Sequence, residues 1–135
     1  MRTKLQIFVI CFVLFSASMP IIAHHSFAVD YDVKKPFKLQ GVVTKIEWTN
    51  PHAHVYLDVV EKGVKTNFNF EMASPNILER NGWSRKSLNV NDQVTVAGYS
   101  GRVVATRGII TSLKLPDGRE LFAGAGPSAD GPQPR

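Results

Sequence analysis

Cysteine is nearly absent from this sequence of 135 residues, whose one cysteine is Cys11. Cys11 lies in an apolar segment close to the amino terminus, so the rest of the chain can form neither a disulfide nor a thiolate metal site. Any metal bound outside that segment must use histidine, carboxylate or backbone nitrogen as ligands.

Long hydrophobic runs are also lacking. The main apolar run, "LQIFVICFVLF" at 5–15, is shorter than the roughly 20 residues that a membrane-spanning helix needs. Arg2 and Lys4 precede this run, and "SASMP" and Ala23 follow it, which is the order of regions in a Sec-type secretory signal peptide. We therefore expect cleavage after Ala23 and a periplasmic or otherwise exported protein with no transmembrane anchor. An uncleaved anchor is the alternative.

Strong charge of one sign is missing as well. Removing residues 1–23 takes away Arg2 and Lys4 and lowers the formal net charge from +5 to +3, and no basic run is left. Nucleic acid is therefore not an expected partner. The sequence also has no phosphate-loop pattern, and carboxylates on strands are commoner as solvated residues than as general acids and bases. We expect no enzymatic activity.

What the sequence does contain is a series of segments with the alternation typical of β-strands. A short helix interrupts them, with Ser74 as the N-cap, Pro75 in the first turn and Gly82 at the carboxyl end. Gly41 marks a bulge or a sharp coil in the second strand. The predicted strands are 27–33, 37–48, the two alternating runs of 52–72 on either side of Lys62-Gly63, 93–99, 105–115 and 119–122, with a turn at "KKP" between the first two.

The segment "HAHVYLDVVEKGVKTNFNFEM" at 52–72 predicts a β-hairpin that turns at Lys62-Gly63. Folding about this dipeptide places apolar residues opposite each other on one face, and polar residues opposite each other on the other. Because a slip of one residue would mix the two faces, the pattern specifies the register. The apolar pairs are Val55 with Phe70 and Leu57 with Phe68; the polar pairs are His54 with Glu71, Tyr56 with Asn69 and Asp58 with Asn67.

This order of elements predicts a mainly β fold, a small OB-like five-stranded barrel with one short helix between strands 3 and 4. A small β-sandwich is the alternative. The predicted organisation is a signal peptide at 1–23, a single domain with an amino-terminal extension at 24–122, and a disordered tail at 123–135, where apolar residues are too few to pack. Such folds bind many kinds of ligand, so the fold alone does not assign a function.

All four histidines fall into two pairs, His24-His25 and His52-Ala53-His54. Cleavage after Ala23 would place a free amine on His24 beside two imidazoles. Residues two apart on a strand lie on one face, roughly 6.5 to 7 Å from each other, which lets two imidazoles converge on one ion. A site rich in nitrogen and without sulfur favours Cu(II), with Zn(II) or Ni(II) as competitors.

The two histidine pairs can meet only if the chain brings its amino terminus back toward His52. Residues 24–36 are long enough to run back along the first long strand, since thirteen extended residues reach roughly 43 Å, and the alternation at 27–33 suggests an added edge strand as the way to do so. The alternative is purely structural: His24-His25 as a polar start to the chain, one histidine of "NPHAH" capping a turn, and the other pairing with Glu71 across the hairpin.

Several spaced motifs resemble a family of small exported bacterial proteins catalogued as a domain of unknown function. The motifs are "AHHSFA", "GVVTKIEWTNPH", "SPN", "RNGW", "DQVTVAGY" and "LPDGRELF", and the likeness covers nearly all of residues 23–122. The resemblance implies an exported envelope protein with an OB-like fold and no established activity. The positions shared with the family pattern are His24, His25, Glu47, Trp48, Asn50, Pro51, His52, Glu71, Pro75, Gly82 and Trp83.

His54 is not part of the family pattern, which makes it the less favoured ligand. The candidate metal residues are therefore His24, His25 and His52, with Glu71 as a fourth ligand or as a carboxylate that orients a ligand. The resulting hypothesis is a non-enzymatic exported binding protein that binds a metal ion, copper by preference. The alternative is a metal-free envelope protein that binds a small ligand or a protein partner through Trp48 or Trp83.

Overall fold

The computed structural model describes residues 27–124, and its longest element is the first strand. Strand β1 runs without interruption from Tyr31 to Glu47. The prediction of a separate strand at 27–33 is wrong, because Phe27–Asp30 form one helical turn, α1, and β1 starts directly after it. The "KKP" segment is not a turn between strands but an irregularity within β1, where the pairing register shifts between Asp32 and Pro36.

Strands β2, His54–Glu61, and β3, Val64–Glu71, form the predicted hairpin. All five predicted cross-strand pairs are confirmed. Lys62 and Gly63 have φ values of 51° and 79°. Positive φ at both central residues is the backbone that a two-residue hairpin turn needs to match the twist of its strands.

Helix α2, Pro75–Arg80, follows the hairpin as predicted, with Pro75 in its first turn. Ser74 occupies the N-cap position, but its side chain makes no capping hydrogen bond; its carbonyl oxygen accepts from the N–H groups of Ile77 and Leu78. Gly82 has a φ of 87°, the left-handed backbone expected after a helix. The remaining strands are β4, Gln93–Gly101, β5, Arg107–Lys114, and β6, Glu120–Phe122.

The six strands belong to one sheet, in the order β3-β2-β1-β4-β5-β6, with a further parallel pairing of β3 with β5. That pairing closes five strands into a ring. The length of β1 makes this possible, because its first part pairs with β4 and its last part with β2. The prediction of a mainly β fold with a short helix between strands 3 and 4 is confirmed.

The core fills the interior of the ring. The apolar face of the β2–β3 hairpin supplies part of it, and α2 covers it with Leu78, which is fully buried. Ala123 lies within the predicted tail, yet it is buried and its N–H donates to Thr111 O at 2.8 Å. Between residues 27 and 124, no helix is both long and apolar enough to cross a bilayer. The largest fully buried side chains are Phe70, Leu57, Met72, Leu78, Ile110 and Leu113.

Candidate functional site

His52 and Glu71 form the centre of the candidate site. Nδ1 of His52 is in direct polar contact with Oε1 of Glu71. The backbone holds the two residues together, because Met72 N–H donates to Ala53 O at 2.8 Å and Ala53 N–H donates to Ala73 O at 3.2 Å. The His52 side chain is 51% exposed and that of Glu71 only 19%. The Glu71 carboxylate therefore binds Nδ1 of His52, and the other ring nitrogen, Nε2, is left to bind another group.

The side chain that reaches Glu71 is not the one the hairpin register suggests. His54 is the Cα partner of Glu71, but Nδ1 of His54 instead lies 2.9 Å from Oδ1 of Asn69, its diagonal neighbour. His52 lies two residues before His54 in the connection from β1 and approaches the carboxylate from there. Side-chain direction at the strand end, which the alternation of residues does not specify, decides this pairing.

Tyr31 is the second partner of Glu71. Its hydroxyl donates to Oε2 of Glu71 at 2.6 Å. Closure of the ring produces this contact: Tyr31 pairs with Gly101 at the end of β4, while Glu71 pairs with Ile109 on β5. Burial raises the pKa of the Tyr31 phenol, and the hydrogen bond to Glu71 and the negative charges of Glu71 and Asp30 raise it further.

We predict that Tyr31→Phe lowers the free energy of unfolding by about 1 kcal/mol at pH 7. This loss is smaller than that expected from removing a fully buried hydrogen bond to a charged acceptor, because the site is partly solvated. The pKa of Tyr31 is higher in the folded protein than in the unfolded chain. The contribution of the Tyr31 phenol to the free energy of unfolding is therefore fully present below pH 10, and it is lost as the pH rises from there toward the pKa of the folded state. Urea unfolding at pH 7, 10 and 11 measures both effects. A gap between wild type and variant that does not narrow above pH 10 would contradict the assignment.

A second polar network covers the outer face of β1, β2 and β3. Asn69 Nδ2 donates to Tyr56 Oη at 3.3 Å, and the Tyr56 hydroxyl donates to Glu47 Oε2 at 3.0 Å. Lys45 Nζ lies 2.5 Å from Glu47 Oε1, and this hydrogen bond is the main reason that the pKa of Glu47 is lowered. His54 joins the network through Asn69. The partner of His54 is thus Asn69 in this network, and none of the candidate metal residues that the structure describes.

The structure brings together only part of the predicted metal site. His52 and Glu71 are in contact, whereas His24 and His25 lie outside the described residues. Within the described range, no group of three or more histidine, cysteine, aspartate or glutamate side chains is arranged to hold a metal ion. The predicted added edge strand at 24–36 is wrong, because residues 31–36 already belong to β1. Curling of β1 around the ring, rather than a return along it, brings Tyr31 to Glu71.

Two adjoining clefts flank the Tyr31–Glu71 contact. The larger has a volume of about 280 Å³ and the smaller about 100 Å³. Both are lined by Tyr31, Glu71 and Arg107. Sequence reasoning did not select Tyr31 or Arg107, since Tyr31 matched an ordinary strand alternation and Arg107 belonged to no motif.

The two tryptophans are less suited to a contact surface than expected. Trp83 is 4% exposed, and its Nε1–H donates to the Phe122 carbonyl oxygen at 2.9 Å, so it is a core residue. Trp48 is half-buried against Trp83, with ring centroids 6.4 Å apart. Its indole N–H is buried and has no hydrogen-bond acceptor among the residues that the structure describes.

Comparisons with known proteins give a family but no characterised relative. Neither the curated proteins nor the solved structures include a match to the chain. Residues 12–111 match a family of unknown function, DUF6152. The matched range begins within the signal-like segment and includes the hairpin, α2 and most of β5. Since the match covers well over half of the sequence, the chain belongs to the DUF6152 family.

Proposed function

We propose that this protein is an exported, non-enzymatic binding protein that holds a metal ion, copper by preference, through His24, His25 and His52. Glu71 orients His52 in this proposal. The observation that carries it is the contact between Nδ1 of His52 and the Glu71 carboxylate. A ligating histidine commonly donates its other ring N–H to a carboxylate, which selects the tautomer and makes the free nitrogen a better ligand.

The position of Tyr31 supports the participation of the amino-terminal histidines. Tyr31 touches the same carboxylate as His52. The six residue steps from His25 to Tyr31 cross α1, and a helix rises about 1.5 Å per residue against about 3.5 Å when extended, so this stretch spans at most about 15 Å. His25 therefore lies within about 15 Å of Tyr31, whose hydroxyl binds the carboxylate that His52 contacts. The leader-like segment before Ala23 supports export to the periplasm and a free amine on His24.

Native mass spectrometry of untagged protein recovered from the periplasm tests the proposal. The protein is expressed with its own leader and kept free of chelator. A mass that starts at His24 with one copper retained would support it. A different first residue, or a metal-free protein after copper has been supplied, would contradict it.

We predict that His52→Ala lowers the Cu(II) affinity at least about tenfold, because it removes a ligand nitrogen. His54→Ala is the matched control, since His54 is bound to Asn69 and should leave the affinity unchanged. One extra residue before His24 should weaken binding as strongly as His52→Ala. Competition with a chromophoric chelator measures all three, and equal affinities for the extended and native proteins would rule out a terminal-amine site.

A second candidate function is metal-free binding of a small ligand in an exported protein. The clefts beside Tyr31 favour it, because they place charged and apolar groups around one opening. Here the His24→Ala, His52→Ala double variant would retain ligand binding, whereas the metal proposal requires that it lose copper.

A further inference from the structure

The larger cleft is lined by both charged and apolar residues. It is lined by Asp30, Tyr31, Glu71, Gly101, Val103, Val104 and Arg107. Val103 is 91% exposed and Val104 is 42% exposed, so the loop from β4 to β5 presents two adjacent aliphatic side chains to solvent. A volume of about 280 Å³ lies just below the roughly 300 to 1,000 Å³ typical of ligand sites, which suits a small molecule.

Backbone hydrogen bonds hold the walls of this cleft in place. Arg102 N–H donates to Asp30 O at 2.9 Å, which ties the loop to α1. Arg107 N–H donates to Val104 O at 3.0 Å, and Asn69 N–H donates to Thr106 O at 2.9 Å, which ties the loop to β3. The cleft is therefore preformed, so a ligand need not order the loop when it binds.

The charges around the cleft are mixed. Asp30 and Glu71 contribute carboxylates and Arg107 a guanidinium, and all three line the same cleft as Tyr31. The Arg107 side chain makes no salt bridge to any residue in 27–124, and it is the one cationic side chain that lines the cleft within that range. A planar guanidinium in this position offers a carboxylate two parallel hydrogen bonds.

This arrangement discriminates between ligand classes. A simple anion would meet Arg107 but be repelled by two carboxylates, and a simple cation would leave the Arg107 guanidinium without a partner. A ligand that carries both charges at one end satisfies both sets of groups, and an aliphatic tail would cover Val103 and Val104. We propose that the cleft binds a small zwitterion with an aliphatic side chain, which is the chemistry of an aliphatic α-amino acid.

In the proposed complex the carboxylate of the ligand lies on Arg107 and its ammonium group on the Asp30 side. The tail extends toward Val103. This inference deepens the second candidate function and rests on it. It does not depend on the metal proposal, and the binding experiments contain EDTA so that the two can fail separately.

Calorimetric titration of the purified protein with L-leucine tests the inference. N-acetylleucine lacks the ammonium group, leucinamide lacks the carboxylate, and glycine lacks the tail. We expect leucine to bind at least about tenfold more tightly than each of the three, since each leaves one group of the cleft without its partner. No binding of leucine, or equal binding of leucine and either singly charged analogue, would overturn the proposal.

Variants identify the group that recognises each charge. Arg107→Gln should weaken leucine binding at least about tenfold and abolish its preference over leucinamide. Arg119→Gln is the matched control, because Arg119 pairs with Asp117 and does not line the cleft. Circular dichroism checks that Arg107→Gln, at an exposed position, leaves the fold intact. Unchanged leucine affinity in folded Arg107→Gln would overturn the assignment of Arg107.

Discussion

Replacing Gly98 with alanine is expected to lower the free energy of unfolding by more than about 3 kcal/mol, the upper end of the usual cost of overpacking a core. A Cβ at this position would lie 2.0 Å from Ile109 O and 2.8 Å from Ile110 Cα. Both atoms are backbone atoms of β5, so no flexible side chain can move aside. Gly98 also lies where the register of β4 against β5 shifts, which brings the two backbones close together.

Urea unfolding of Gly98→Ala beside Gly118→Ala measures this effect. Gly118 has a φ of 88°, and a Cβ added there would meet no neighbouring atom. Gly118→Ala should therefore lower the free energy of unfolding by about 1–2 kcal/mol, the cost of holding alanine in the left-handed region. If Gly98→Ala lowers the free energy of unfolding by no more than Gly118→Ala does, the backbones of β4 and β5 do not lie as close together at Gly98 as described.

Replacing Glu71 with glutamine is expected to lower the Cu(II) affinity about 10- to 100-fold, the usual effect of removing a carboxylate that orients a ligating histidine. The amide keeps an oxygen that can accept from Tyr31, but it lacks the negative charge that the carboxylate presents to Nδ1 of His52. The more severe Glu71→Ala removes the carboxylate that accepts from the half-buried Tyr31 hydroxyl. It should also lower the free energy of unfolding by about 2 kcal/mol.

Glu47→Gln is the matched control for the change of charge. Glu47 is a carboxylate on the same domain, bound to Lys45 and Tyr56, and it does not contact His52. Its replacement should leave the copper affinity unchanged. A loss equal to that of Glu71→Gln would show that net charge rather than the His52–Glu71 contact governs binding, while an unchanged affinity in Glu71→Gln would remove Glu71 from the site.

Sequence reasoning was most accurate for the β2–β3 hairpin, where every predicted pair is confirmed. The features it used lie within about 20 residues and repeat every two positions, so a local pattern contains the whole register. It was least accurate at the start of β1. Alternation at 27–33 was interpreted as a separate strand and "KKP" as a turn, whereas the chain forms α1 and then one strand that absorbs the irregularity.

The candidate site shows the same division. His52 and Glu71 were selected from the pairing of histidines and a family resemblance, and the two side chains are in contact. Tyr31 and Arg107 were not selected, because their proximity to Glu71 depends on how the ring closes. Tyr31 is 40 residues away from Glu71 along the chain, and no periodic pattern connects positions so far apart.

The sequence by itself determined the mainly β class, the hairpin with its turn at Lys62-Gly63, the position of α2 and the grouping of the histidines. Each follows from residues that are neighbours along the chain. Only the tertiary structure decided which histidine meets Glu71, how Tyr31 reaches the same carboxylate and where Arg107 lies. These contacts depend on the curl of β1 and the pairing of β3 with β5, which arise from packing of the whole sheet rather than from local alternation.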